Sequence, residues 1–297
     1  MGKIVIYHAH AVSKLFTIQS LLRDVVVKNT GLSVVIAHQD NLATALTPDT
    51  LLFILPGASA SSTYRDQISG DKLALLQQRT ADGMQVLGIC AGGYALAHHF
   101  EYCFYDEQSG ALQEKRQVQS SLGLAPVYAY GPNRQLHQLR PYDPAARWST
   151  YDAVRTGFRG RDGKLIDVAL ALANGPSFSH LDQPLCQPLA HYEKTGEVAM
   201  VSFRYGKGGG ILSGPAPEVG GRNLMQYIHP NQQQNPHMQA TLSSLENSHA
   251  AWAAMWGDLM ARLLPSRPDL HPLMITNLAQ HVQEKPRQPH RPLALTC

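Results

Sequence analysis

Val86-Leu87-Gly88-Ile89-Cys90-Ala91-Gly92-Gly93-Tyr94-Ala95 is the stretch on which the fold turns. An apolar run ends at Cys90 and small residues follow at once, so a strand passes directly into a helix there. Such a turn strains the backbone of its central residue and tolerates only neighbours without bulky side chains. It also sets the Cys90 thiol at a helix N-terminus, where the dipole and free N–H groups favour thiolate over thiol. A buried structural cysteine in a tight turn shares part of this pattern. Gly88, Gly92 and Gly93 around the thiol favour a presented nucleophile instead. Cys103, past the helix, is expected in the core.

Outward from the turn, short β-branched runs alternate with helical patterns. Lys3–Tyr7, Ser33–Ala37, Leu51–Leu55 and Gln85–Ile89 read as strands. Residues 12–27 and Asp71–Gln78 read as helices, with Ser69 a possible cap and Gly83 a stop. His98 and His99 then fall about two turns into the helix after Cys90, as a surface or packing pair. Continuous apolar strands separated by helices imply a parallel sheet covered on both faces. Right-handed crossovers place every carboxyl end on one edge, where sites form in open α/β sheets.

Further on, residues 106–120 are polar and read as a loop or excursion. Leu165–Ala173 reads as a strand ended by the turn Asn174-Gly175-Pro176. Leu189–Glu193 and Glu197–Tyr205 follow as strands, and Ile211–Ser213 as another. Residues 1–230 are thus expected to form one α/β domain. Residues 231–264 would be a polar linker and one amphipathic helix, over 240–264, packing on that domain through Leu242, Trp252, Met255 and Trp256. Residues 265–297 form a proline-rich, basic tail expected to be loosely held.

The chain has 297 residues, 44% hydrophobic and 16% charged, with a formal charge of +3. That suits a protein with a real core and gives no basic run for nucleic acid. No apolar stretch approaches the roughly 18 residues of a membrane span. The N-terminus reads as a strand, without a cleavage pattern, so the expected location is the cytoplasm. The four cysteines, at 90, 103, 186 and 297, form no C-x-x-C pair, which fits a reducing compartment. The histidines are scattered, so neither a metal site nor a cofactor is expected.

Two further segments belong with Cys90. Leu55-Pro56-Gly57-Ala58 ends a strand on the same sheet edge, where the amides of Gly57 and Ala58, with that of Ala91, suit an oxyanion hole. Ile211-Leu212-Ser213-Gly214-Pro215-Ala216-Pro217-Glu218 ends another. Together the three segments resemble the class I glutamine amidotransferase-like fold, a flavodoxin-like three-layer sandwich with a parallel sheet, here carrying a C-terminal helical extension. The closest resemblance is to the N-terminal domain of eukaryotic-type biotin–protein ligases. It extends to Tyr7, to Asn174-Gly175-Pro176 and to Tyr205-Gly206-Lys207-Gly208, and covers about residues 1–222. It implies a catalytic cysteine at Cys90, with Tyr7, Asn174 and Gly92 among the residues around the substrate.

That superfamily normally supplies a histidine base, then a glutamate two residues later. Here Ala216 stands at the histidine position and Glu218 is retained. A thiol near its reference pKa of about 8.5 is mostly protonated at neutral pH without a base. Glutaminase activity is therefore not carried over. His8 and His10, just past the first strand, are candidates to neighbour the thiol, with His180 and His191 weaker ones. Phe158–Gly163 is read as a surface turn. Gly206–Gly210 lacks phosphate-loop spacing and reads as a flexible hairpin.

Two classes of function remain. In one, Cys90 attacks an amide or thioester carbonyl of a small molecule and Glu218 or a local histidine manages protons. In the other, the fold binds a ligand or regulates without turnover, or Cys90 is a redox-sensing thiol. A protein partner is left open: the helix face with Trp252 and Trp256 suits packing on the α/β body, with a partner-binding face as the alternative.

Overall fold

The computed structural model describes residues 2–9, 32–58, 62–106, 113–136, 151–182, 184–225 and 234–265. The helix expected over 12–27, His10, most of the linker and the proline-rich tail lie outside these residues. The first half builds β1 (Lys3–Tyr7), β2 (Ser33–Ala37), α1 (Leu42–Ala45), β3 (Thr50–Leu55), α2 (Ser62–Gln67), α3 (Asp71–Asp82), β4 (Gln85–Ile89) and α4 (Ala91–Leu96). Strands follow at β5 (Ala97–Asp106), β6 (Gln113–Ser120), β7 (Ala125–Gly131), β8 (Asp152–Arg159), β9 (Leu165–Leu172), β10 (Ser177–Ser179), β11 (Cys186–Tyr192), β12 (Val198–Tyr205) and β13 (Gly208–Ser213). Helices α5 (Gly221–Met225), α6 (Pro236–Asn247) and α7 (His249–Leu263) close the chain's described part.

The expected parallel strands are present, and the sheet continues beyond them into antiparallel ones. A parallel run β2-β1-β3-β4-β13 continues antiparallel into β12, β10 and β7; β7 then pairs parallel with β5, and β5 antiparallel with β6. The parallel strands are buried on both faces, which is why they read as unbroken apolar runs. Alternation divides them between two cores. Ile4, Ile6, Leu52, Ile54, Leu87 and Ile89 share one with Val154, Phe158 and Leu170 of the β8–β9 hairpin and with Trp252, Met255 and Trp256 of α7. Val5, Tyr7, Phe53, Leu55 and Val86 face the other, with Tyr64 of α2, Leu76 of α3, and Tyr94 and Leu96 of α4. Each such side chain contributes roughly 1.5–3 kcal/mol on burial. The result is a three-layer α/β fold.

Several local expectations change. Residues 113–120 are strand β6, hairpin partner of β5, rather than a loop. Helix α4 stops at Leu96, so His98 and His99 lie in β5, both exposed. Gly70 rather than Ser69 precedes α3, and the Ser69 hydroxyl bonds back to the Asp66 carbonyl at 3.4 Å. Gly208–Gly210 belongs to β13, and only Gly206 and Lys207 turn. The C-terminal helix is two helices that meet at Ser248.

Asn235 caps α6, its side chain accepting from the His237 amide at 2.9 Å, with Pro236 in the first turn. Helix α7 is tied down by Asp258, whose buried carboxylate accepts from the Arg161 amide, the Arg161 guanidinium and Arg262. Among the described residues no helix is long and apolar enough to cross a membrane.

Candidate active site

Where β4 ends, Cys90 takes φ 52 and ψ −107, a backbone that residues with a Cβ seldom adopt. It is held there from both sides. Its N–H donates to the Ser213 carbonyl at 2.8 Å, joining it to the end of β13, and its carbonyl accepts from the Tyr94 amide at 3.1 Å. A glycine, Gly92, lets the neighbouring chain come this close. A Cβ on Gly92 would sit 2.0 Å from the Leu55 carbonyl oxygen, so the first turn of α4 presses on the end of β3. A Cβ on Gly57 would lie 3.6 Å from the Cys90 Cβ, which puts the turn after β3 against the thiol-bearing side chain.

The Cys90 thiol is part-exposed and donates to the Ala173 carbonyl at 3.4 Å. It opens onto a cleft lined by Gly57, Ala58, Cys90, Tyr151, Ala173, Gly214, Ala216 and Glu218. The free volume is about 20 Å³, room for a single water. One wall, residues 213–218, is pinned along its length. The Gly214 amide donates to Ala199 at 2.9 Å and the Ala216 amide to Ala171 at 2.7 Å. The Ser213 hydroxyl donates to Pro215 at 2.7 Å, and the Trp252 indole reaches from α7 to the Pro217 carbonyl at 2.6 Å. The backbone that carries Glu218, itself 1% exposed, is fixed by these contacts.

Three buried tyrosines surround the sulfur. Burial raises the phenol of each well above its ordinary value, and negative charge at Cys90 adds to the effect in Tyr94, Tyr151 and Tyr192. Glu218 raises Tyr151 as well. All three stay protonated, and two of them donate to the wall of the cleft. Tyr94 donates to the Asn174 carbonyl at 3.3 Å and Tyr192 to the Pro176 carbonyl at 2.9 Å. They clamp the turn just after Ala173, the thiol's acceptor.

The residues singled out in the sequence divide. Cys90, Gly57, Ala58 and Glu218 share the cleft, with Ala216 beside them. Ala91 and Gly92 are buried at the start of α4, where a helix leaves amides without intrahelical acceptors. Asn174, at φ 63, contributes its carbonyl to Tyr94 and stands behind the cleft wall. Tyr7 is not in the lining: its hydroxyl donates to Gln67 at 2.9 Å, and burial, then the charge of Asp40, pushes its pKa up to about 12. Nor does His8 line it; the ring packs on His38 with centroids 5.3 Å apart, and its carbonyl lies 3.1 Å from His38 Nδ1. His180 and His191 are absent from the lining too. Tyr151 and Ala173 are additions. Ala173 precedes a turn visible in the sequence, whereas Tyr151 stands in no motif. Among the described residues no group of three or more His, Cys, Asp or Glu lies close enough to hold a metal ion.

A family model for the N-terminal region of biotin–protein ligases matches residues 3–265. An uncharacterized protein of Chlamydia muridarum (strain MoPn / Nigg) is 27% identical over 196 residues, spanning 62% of this chain and 68% of its own. Among solved structures, a glutamine amidotransferase from Thermotoga maritima superposes with a TM-score of 0.52 at 12% identity, covering 89% of this chain and 98% of that one. At that identity the likeness concerns the fold.

Proposed function

The chain belongs to the biotin–protein ligase N-terminal family, and from that premise we propose that it is a glutamine amidotransferase-like protein using Cys90 for acyl transfer on a small amide or thioester. What carries the reading is the backbone of Cys90. A non-glycine residue at φ 52 and ψ −107 costs about 1–3 kcal/mol, and such strain gathers at functional sites. The strain points the sulfur into the cleft that Glu218 also lines.

In this reading the Cys90 sulfur attacks the carbonyl carbon and Glu218 takes the thiol proton. Amides of Gly57, Ala58 and Ala91 stabilise the oxyanion, a contribution worth about 2.7–4 kcal/mol per donor in comparable sites. With Ala216 in the wall and no imidazole in the lining, standard glutaminase turnover is not expected. Iodoacetamide labelling across pH tests the proposal. Cys90 should label at a lower pH than a free thiol does, and Cys90→Ala should abolish acyl transfer. An ordinary, slow thiol would refute it.

Ala216 favours a second reading, in which the cleft recognises a ligand without turnover. There Cys90→Ala retains ligand binding and the thiol labels like any other.

A further inference from the structure

We propose that the phenol of Tyr151 is the acid of this cleft, delivering to the departing group the proton that an imidazole would otherwise carry. This rests on the acyl-transfer reading above. Of the residues lining the cleft, only Cys90, Glu218 and Tyr151 bear an ionisable side-chain proton; the others are glycine or alanine. With Cys90 as nucleophile and Glu218 as base, Tyr151 is the acid that the lining leaves.

Its placement suits the task. The ring is 7% exposed and packs in the core shared by β8, β9 and α7. The Tyr151 carbonyl accepts from the Thr241 hydroxyl of α6 at 3.3 Å. The next residue, Asp152, meets His237 of the same helix at 2.8 Å. Residue 151 is therefore fixed from α6 at two consecutive positions. A phenol is protonated at neutral pH in any case; burial, then the charges of Glu218 and Cys90, raise its pKa further, so the proton leaves only to a strongly basic nitrogen such as that of a departing amine. A neutral phenol is a donor there; a phenolate would not be.

The protons balance. As the S–C bond forms, the thiol proton passes to Glu218 and the carbonyl π pair moves to oxygen. As the carbonyl re-forms, the C–N bond breaks and the nitrogen's electron pair takes the Tyr151 proton. The phenolate is refilled from Glu218, so the amine leaves with the Tyr151 proton and the proton first held by the thiol replaces it on the phenol. In the second half, water attacks the thioester and gives its proton to Glu218. The S–C bond breaks, and the thiolate recovers that proton.

A proton donor matters in proportion to how badly the leaving group needs one. p-Nitrophenyl acetate loses a stable anion; p-nitroacetanilide must lose an amine. Tyr151→Phe keeps the ring and removes the hydroxyl. We expect its turnover of the anilide to fall by about 10²-fold or more, with acylation by the nitrophenyl ester and iodoacetamide labelling of Cys90 little changed. Equal losses on both substrates, or no loss on either, would overturn the role. Wild-type protein that labels at Cys90 but is acylated by neither substrate would overturn the acyl-transfer reading itself. Should Tyr151→Phe not fold, 3-fluorotyrosine at 151 keeps the hydroxyl and lowers its pKa. The alkaline limb of the anilide pH profile should then move to lower pH, and an unmoved limb refutes the proposal.

Discussion

Replacing Cys90 by glycine and, separately, by alanine removes the same sulfur and differs in what the backbone must bear. At φ 52 and ψ −107 alanine keeps the strain, about 1–3 kcal/mol, whereas glycine adopts these angles freely. Glycine loses more freedom on folding, about 0.5–1 kcal/mol. The balance puts Cys90→Gly about 1 kcal/mol above Cys90→Ala in stability. Both lose the thiol's bond to the Ala173 carbonyl, worth about 0.5–1.5 kcal/mol. Cys90→Gly should therefore match or exceed the wild type, while Cys90→Ala falls below it. Urea unfolding followed by the fluorescence of Trp252 and Trp256, both buried, measures all three on one scale. If the alanine variant equals or exceeds the glycine variant, position 90 stores no strain and the elbow argument fails.

Two further outcomes follow from the same structure. Burial pushes the Cys186 thiol up to about 11, so near pH 8 iodoacetamide should spare it in the folded protein, label Cys90, and label both after denaturation. Because the folded state holds this proton more tightly, its contribution to stability is full below the unfolded thiol's value of about 8.5 and declines as pH rises toward 11; peptide mapping and unfolding midpoints check the two parts. Trp252→Phe keeps most of the ring but leaves the buried Pro217 carbonyl without its 2.6 Å donor, which should cost about 1–3 kcal/mol in urea unfolding and slow Cys90 labelling.

The parallel strands and the turn at Cys90 were legible because burial on both faces leaves an unbroken apolar run, and because close approach demands glycine. Strand β6 was not. Its sequence is Gln, Glu, Lys, Arg and Gln around a lone valine, Val118, so no apolar alternation marks its period. The end of α4 was hidden for a related reason. Ala95, Leu96 and Ala97 contain no breaker, and the chain leaves the helix to pair with β7, a partner nearly thirty positions on. The break at Ser248 serves tertiary structure as well, its hydroxyl accepting the Ala169 amide at 3.0 Å. At the cleft, Cys90, Gly57 and Ala58 could be picked out because each follows a recognisable strand, and Glu218 because the family resemblance places a glutamate there. Tyr151 could not, since its place depends on bonds from α6 that lie some ninety positions away in sequence.

The two C-terminal helices brace opposite sides of the chemistry. One grips the chain beside Tyr151 through Thr241, the other the chain beside Glu218 through Trp252. Sliding that pair by even a fraction of a turn would shift the chain beside Tyr151 and the chain beside Glu218 together, with Cys90 left in place. Anyone grafting the cysteine turn onto another scaffold would thus inherit the thiol without its cleft, because two of the cleft's walls are steered from the far end of the chain.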